Sequence, residues 1–290
     1  MTLYQVVGGT YRDDVYRLDS AFEFDVSLNA RAHESSPGGP GLCLAVALRR
    51  LGADVLLDTV VGDGPDTRAA LEVLAAEGVR VRARHSPGPL DHSVTLIDAG
   101  LDSVVATHRS QPRPVLDRVD PGADVVLVCS PTVLRGLAAR LEGRRIVLHP
   151  HAQQCRELCA LPRQERAALL GAVDLLVVNE HEYDLIAPLP EIGAVPALVV
   201  TRGPRGSTLL TADGARVERP ASPTATPPVN TNGAGEAFTA ALLAARDAGH
   251  DWPRALELAA DHAGRHVAEA ASLGFPRTRI AAPIHLGAHP

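Results

Sequence analysis

The sequence contains no lysine; all 28 basic residues of this 290-residue chain are arginine. That absence excludes every mechanism that needs a lysine amine from this chain. Schiff bases, a pyridoxal anchor, the G-x-x-x-x-G-K-[ST] phosphate loop and the strand lysine of protein kinases all fall away. Any phosphate handled here must be met by backbone N–H groups, arginine or a metal ion. Aromatic residues make up only 3% of the chain, so platforms for stacking nucleobases are scarce. A net charge of −6 gives no positive field for nucleic acid or an anionic membrane. The four cysteines, Cys43, Cys129, Cys155 and Cys159, do not resemble a dense secreted disulfide framework. No apolar run reaches the roughly 18 residues that span a bilayer, and no leader pattern precedes the first apolar segment. The expectation is a cytoplasmic protein.

What is present is a sizeable core, with 46% hydrophobic residues, arranged as short apolar runs alternating with helical patterns. The runs are Leu3–Gly8, Asp54–Gly62, Ala123–Cys129, Arg145–His149, Val173–Asn179 and Ala197–Arg202. Helices are predicted over about 65–77, 131–141, 162–171, 180–186 and 233–248. Apolar strands without alternation are buried on both faces, which points to a doubly wound parallel α/β sheet. Two places differ. Ala21–Leu28 alternates strictly, and Val94–Ala99 and Ser103–His108 form two short strands joined near Gly100. Alternating strands have one wet face, so they predict a small separate sheet serving as a lid or a dimer surface.

The stretch that carries chemistry is Val229–Phe238. Its small-residue turn, Gly233, Ala234 and Gly235, opens directly into a helix. N–H groups at a helix start form an anion hole, and the helix dipole favours negative charge there. Glu236, in the first turn, sits where a general base would meet a hydroxyl beside that phosphate. Taken alone, these residues also fit an ordinary turn with a dipole-stabilising acid.

In wider context the segment resembles the D-T-x-G-A-G-D signature of the ribokinase-like, or PfkB, carbohydrate kinase family. Gly38, Gly39, Ala45–Ala47 and Leu51–Ala53 resemble its N-terminal glycine signature, and Val61–Gly64 its V-G-x-D turn. Asn179–Glu182 matches N-x-x-E, and Thr201–Gly206 resembles T-x-G-x-x-G. These motifs lie in the family's order across about residues 3–275. The resemblance implies one ribokinase-like domain over residues 1–290: a three-layer sandwich with a mostly parallel central sheet. Lid strands would be inserted at about 10–36 and 90–110. It implies transfer of the ATP γ-phosphoryl group to a hydroxyl of a small sugar or nucleoside, with Mg2+. Glu236 would take the base position and Gly233, Ala234 and Gly235 the anion hole. Asn179 and Glu182 would hold magnesium through its water shell, without direct ligation. Thr201, Gly203 and Asn230 would lie by the nucleotide, and Asp14, Gly38, Gly39 and Cys43 by the substrate. The alternating Phe22–Leu28 face suggests a homodimer through the lid.

The departures from the family bear on specificity. Glu236 stands for the family's catalytic Asp, one methylene longer, and a misplacement of about 1 Å can cost around 10²-fold in rate. Asn230 replaces an acid, which puts the family's monovalent-cation site in doubt. Cys43 replaces a sugar-binding Asn, and Pro40 stands where ribokinase itself has Lys. An alternative follows: a catalytically weakened member that binds nucleotide or sugar as a regulatory protein.

Other signals carry less. His149, His151, Cys155 and Cys159 mimic a zinc set, but surface histidines and core cysteines explain them. His108 and His181 read as structural or surface residues, and His92 as a lid residue within reach of substrate. Asp63 and Asp66 read as turn residues. Arg202 and Arg205 read as solvated loop residues, with phosphate contact the sharper option, and Arg109 and Arg113 read as within reach of a phosphate or an acidic substrate.

Overall fold

The structure is a computed structural model and describes residues 2–135, 141, 143–223 and 231–269. The N-terminal part runs β1 (Leu3–Val7), β2 (Tyr11–Leu18), β3 (Ala30–Gly38), α1 (Pro40–Arg50), β4 (Asp54–Asp63) and α2 (Pro65–Ala76). It continues through β5 (Arg80–Pro89), β6 (Asp91–Ile97), β7 (Ser103–His108) and β8 (Val125–Val128). Then come β9 (Arg145–Leu148), α3 (Ala152–Ala160), α4 (Arg163–Leu170), β10 (Leu175–Asn179) and α5 (Glu180–Ile186). The last elements are β11 (Ala197–Thr201), β12 (Ser207–Thr211), β13 (Arg216–Arg219), α6 (Ala234–Asp247) and α7 (Trp252–Glu269).

Among the described residues, nine strands form the central sheet in the order β13-β12-β11-β10-β9-β8-β1-β4-β5. From β11 to β5 every pairing is parallel; β12 and β13 run antiparallel at one edge. The inner strands are buried along nearly their whole length, as their unbroken Val and Leu runs require. Two apolar clusters cover the two faces. One joins Leu42, Leu44 and Leu48 of α1 to Phe238 and Leu242 of α6 and Leu256 of α7. The other joins Val7, Val126, Leu148 and Val178 to Cys155 and Leu158 of α3 and Leu170 of α4. The sheet therefore lies between two helical layers, as the sequence predicts. β1 sits between β4 and β8, so the chain order reverses there, and crevices at such reversals lie outside the carboxyl ends of the strands.

The second sheet has four strands in the order β3-β2-β6-β7. β2 pairs antiparallel with β3 and parallel with β6, and β6 pairs antiparallel with β7. It is built from the two segments expected to form a lid.

Two expected elements differ. Ala21–Leu28 is not a strand but part of the connection between β2 and β3, closed at its base by Asp19 N–H donating to Asn29 C=O at 3.2 Å. It joins neither the edge at β3 nor that at β7, so its alternating residues pair with no strand and lie exposed or half-buried. Phe24 is 94% exposed. The helix expected near 131–141 begins as a short 3-10 turn at Pro131–Leu134, and 136–140 lie outside the described residues. Among the described residues, no helix is long and apolar enough to cross a membrane.

Candidate active site

A cleft of about 830 Å³ lies between the carboxyl ends of the central strands and the inner face of the small sheet. Two glycine approaches shape its floor. Gly41, in the first turn of α1, packs on the end of β1: a Cβ there would sit 2.7 Å from Gly8 Cα. Gly38 ends β3 directly against Asp13, so a Cβ would lie 2.5 Å from the Asp13 Cγ. Both positions exclude a side chain, and together they bring α1 and the small sheet to the same point.

Side chains alternate along β2, so Tyr11 and Asp13 face the cleft while Arg12 and Asp14 face away. Asp14, expected at the substrate, is on the outer face, bonded to His92 Nε2 at 2.6 Å and His33 Nε2 at 3.2 Å. Burial alone would raise its carboxyl, but hydrogen bonds from Ser35, His92 and His33 hold it at about 2. His92, thought to be within substrate reach, is occupied by that contact. Asp13 is the inward acid. It accepts hydrogen bonds from Ser93 Oγ at 2.8 Å and Gly39 N–H at 3.3 Å. Burial raises its pKa, helped by the Glu236 charge and opposed by those two hydrogen bonds. Two adjacent acids in one strand cannot be told apart by composition; the register Asp13↔Ser93 fixes which one faces in.

Glu236 lies across the floor from Asp13. Gly233 adopts φ +80° at the N-cap of α6, a left-handed turn that glycine makes without strain. The first-turn N–H groups of Gly235 and Glu236 have no partner within the helix itself. Glu236 is only 9% exposed. Cys43, on α1, lines the same floor, and burial raises its thiol well above the usual range. Gly39, at φ +90°, precedes α1 and lines the cleft with Pro40.

The sequence reading sets His149 and His151 aside as surface residues. His149 and His151 follow β9, and neither pairs with a cysteine. Cys155 is buried in the apolar layer, and Cys159 donates to Leu185 C=O at 3.3 Å. The cysteines therefore read as expected, but His149 is buried rather than on the surface. Its Nδ1 lies 3.3 Å from Thr239 Oγ1, and burial lowers its pKa to about 4 despite the Glu236 charge. His151 Nε2 lies 3.4 Å from Glu236 Oε1. The H-P-H spacing puts both imidazoles on one side of an extended segment, a signal that was available in the sequence.

Farther along the row of strand ends, Asn179 caps α5. Its Oδ1 accepts from Glu182 N–H at 2.9 Å, and Glu182 Oε2 accepts from Asn179 N–H at 2.8 Å, a reciprocal capping box. Both line the cleft. Burial raises the Glu182 pKa, with the Glu236 charge adding to it. Thr201 ends β11, and Gly203, at φ +53°, opens a turn closed by Arg202 N–H donating to Gly206 C=O at 2.7 Å. Thr201 and Gly203 are not among the residues lining the cleft. Asn230 lies outside the described residues.

The remaining arginines and acids are engaged. Arg109 lines the cleft and donates to Tyr11 OH at 2.8 Å. Arg113 pairs with Glu157, and Arg202 and Arg205 pair with Glu180. Asp63 accepts from Gly88 N–H at 3.2 Å, and Asp66 lies 3.7 Å from Arg12, so both serve local structure.

Comparison with known proteins adds the following. Residues 145–273 match the model of the pfkB family of carbohydrate kinases. Ribokinase from Bacillus subtilis is 26% identical over 299 residues, covering 94% of this chain and 96% of the relative. A Burkholderia thailandensis nucleoside kinase, solved in complex with inosine, superposes with a TM-score of 0.79 at 20% identity, covering 98% of this chain and 95% of that one. Ribokinase from Cryptococcus neoformans, solved in complex with ADP, gives 0.77 at 19% identity, over 92% and 94%. The two structural likenesses establish the fold.

Proposed function

We propose that this chain, a ribokinase-like member of the PfkB family, transfers the γ-phosphoryl group of ATP to a hydroxyl of a small sugar or nucleoside. The observation that carries the reading is the buried Glu236 carboxylate. It sits in the first turn of α6 beside the Gly233–Gly235 amides, on the floor of a cleft that Asp13 also lines. Asp13, rather than Asp14, accepts a hydrogen bond from a substrate hydroxyl. Glu236 accepts the proton of the attacking hydroxyl. The Gly233, Ala234 and Gly235 amides stabilise negative charge on the phosphoryl group. Gly38 and Gly39 hold Asp13 and the wall of α1 in place. The thiol of Cys43 and the ring of Pro40 offer few polar partners, which disfavours a substrate with hydroxyls on every face.

Magnesium takes oxygen ligands and retains several waters. The Asn179 amide and Glu182 carboxylate fit such an ion: they are oxygen donors lining the cleft, and burial raises the Glu182 carboxyl. Asn179 and Glu182 would hold it through its water shell, and the ion would neutralise phosphate charge. Thr201 and Gly203 would approach the nucleotide at the next strand end. A monovalent cation would involve the segment at Asn230, outside the described residues, and is not assigned. All four cysteines are free thiols, which suits a reducing compartment, and a cytoplasmic location is part of the proposal.

The lid also suggests a homodimer. β7 is an exposed edge strand carrying Val104 and Val105, 54% and 58% exposed. Light scattering on wild type and Val104→Arg tests this. A dimer converted to monomer is expected; a wild-type monomer refutes it.

A second reading, a nucleotide- or sugar-binding regulatory protein with weak transfer, is favoured by the longer Glu236 side chain and its approach to His151. ADP release over a panel of sugars and nucleosides separates the two. Turnover by wild type, retained by Glu236→Asp and abolished by Glu236→Ala, is expected of a kinase. ATP binding without ADP release from any substrate supports the regulatory reading.

A further inference from the structure

Two imidazoles converge on Glu236, and proton transfer to that carboxylate does not require them. One ring nitrogen each from His149 and His151 and one Glu236 carboxylate oxygen lie within 4.8 Å of one another. Three separate elements present them: His149 just after β9, His151 at the start of α3, and Glu236 in the first turn of α6. His151 Nε2 is enclosed and has no hydrogen-bond partner, although its ring edge is otherwise half-exposed. The Nδ1 of His149 faces the Thr239 hydroxyl, leaving its Nε2 on the side of Gly235 at the start of α6.

The dimensions fit an ion. A four-coordinate metal with bonds of about 2.0–2.2 Å to nitrogen and oxygen separates neighbouring ligand atoms by about 3.4 Å. His151 Nε2 and Glu236 Oε1 are 3.4 Å apart, one edge of such a tetrahedron. The spacing of up to 4.8 Å among the three ligand atoms would have to close by at most about 1.4 Å on binding. The Thr239 hydroxyl would accept the Nδ1–H of His149, the second hydrogen bond that orients a metal-ligating imidazole. Two imidazoles and one carboxylate select a borderline divalent ion; magnesium and calcium prefer oxygen alone.

We propose that His149, His151 and Glu236 form a three-ligand site for a zinc-class divalent transition-metal ion, separate from any magnesium that accompanies a nucleotide. Its fourth position opens into the cleft. The site itself does not depend on kinase activity. One consequence does rest on that reading: an ion on Glu236 withdraws the carboxylate from proton acceptance, so zinc inhibits transfer.

The experiment is a calorimetric titration of the chelator-treated full-length protein with zinc chloride, without nucleotide or substrate. A parallel cobalt(II) titration is followed by visible d–d absorption. One ion per chain is expected, with the intense absorption of a tetrahedral cobalt site. His151→Ala should weaken binding at least tenfold and abolish that absorption, and Glu236→Gln should do the same. His181→Ala, a histidine in the same cleft outside the trio, should leave zinc affinity unchanged. His149→Gln is informative only if its thermal unfolding matches wild type, so the half-exposed His151 decides. Absence of stoichiometric binding overturns the proposal, and so does binding that His151→Ala leaves intact. Neither result depends on ADP release. Loss of the kinase reading therefore shows only in the turnover panel, and loss of the metal site only in the titrations.

Discussion

Gly38→Ala tests how the small sheet and the central sheet share the acid at the cleft floor. The added methyl group would lie 2.5 Å from the Asp13 Cγ, whereas carbon atoms pack best about 3.5–4.0 Å apart. Either Asp13 or the end of β3 must move by about 1 Å. Moving Asp13 breaks its bonds from Ser93 Oγ and Gly39 N–H, at 2.8 and 3.3 Å. Hydrogen bonds to a charged group contribute about 1.5–3 kcal/mol each, so the loss is about 3 kcal/mol or more. For a chain of 290 residues that lowers Tm by roughly 5 °C. Gly193→Ala, where a Cβ meets nothing within 4 Å, is the control and should leave Tm unchanged. Thermal unfolding in a double-mutant cycle isolates the clash: in an Asp13→Ala background, Gly38→Ala should cost far less. If Asp13 also binds a substrate hydroxyl, KM rises about 10-fold or more in Gly38→Ala. An unchanged Tm, or an equal loss in both backgrounds, would refute the reasoning.

Two further expectations follow from groups at the cleft. Asn179→Ala removes the cap of α5 and should cost about 1 kcal/mol by chemical denaturation, while Asn179→Asp retains most of it; equal losses would contradict the capping role. Burial pushes the imidazoles of His149 and His262 down to about 4 from 6.5. Each is neutral in the folded chain, while the unfolded chain takes up its proton as pH falls below 6.5. The stability is therefore complete above pH 6.5 and declines toward pH 4, by up to about 3 kcal/mol per histidine. Tm measured over that window should fall, with a shallower slope in His262→Gln; an equally steep slope in the variant removes His262 from the account.

Much of the fold was legible because buried parallel strands and their helices are local patterns. The Val- and Leu-rich runs ending at Asn179 and Thr201 sit where the sequence places them, and Gly233 marks the start of α6 to within a residue. The 21–28 alternation was misleading because a period of two makes a strand only with a partner to pair with, and this segment pairs with none.

By itself, then, the sequence determined the chemistry available: no lysine amine, a glycine turn opening a helix with Glu236 in its first turn, and strands whose carboxyl ends carry Asn179 and Thr201. Only the tertiary structure decided which groups meet. Facing in or out along β2 depends on register against β6, so Asp13 and not Asp14 enters the cleft. The approach of His149 and His151 to Glu236 joins positions more than eighty residues apart, and only the packing of α6 beside the segment that follows β9 brings them together.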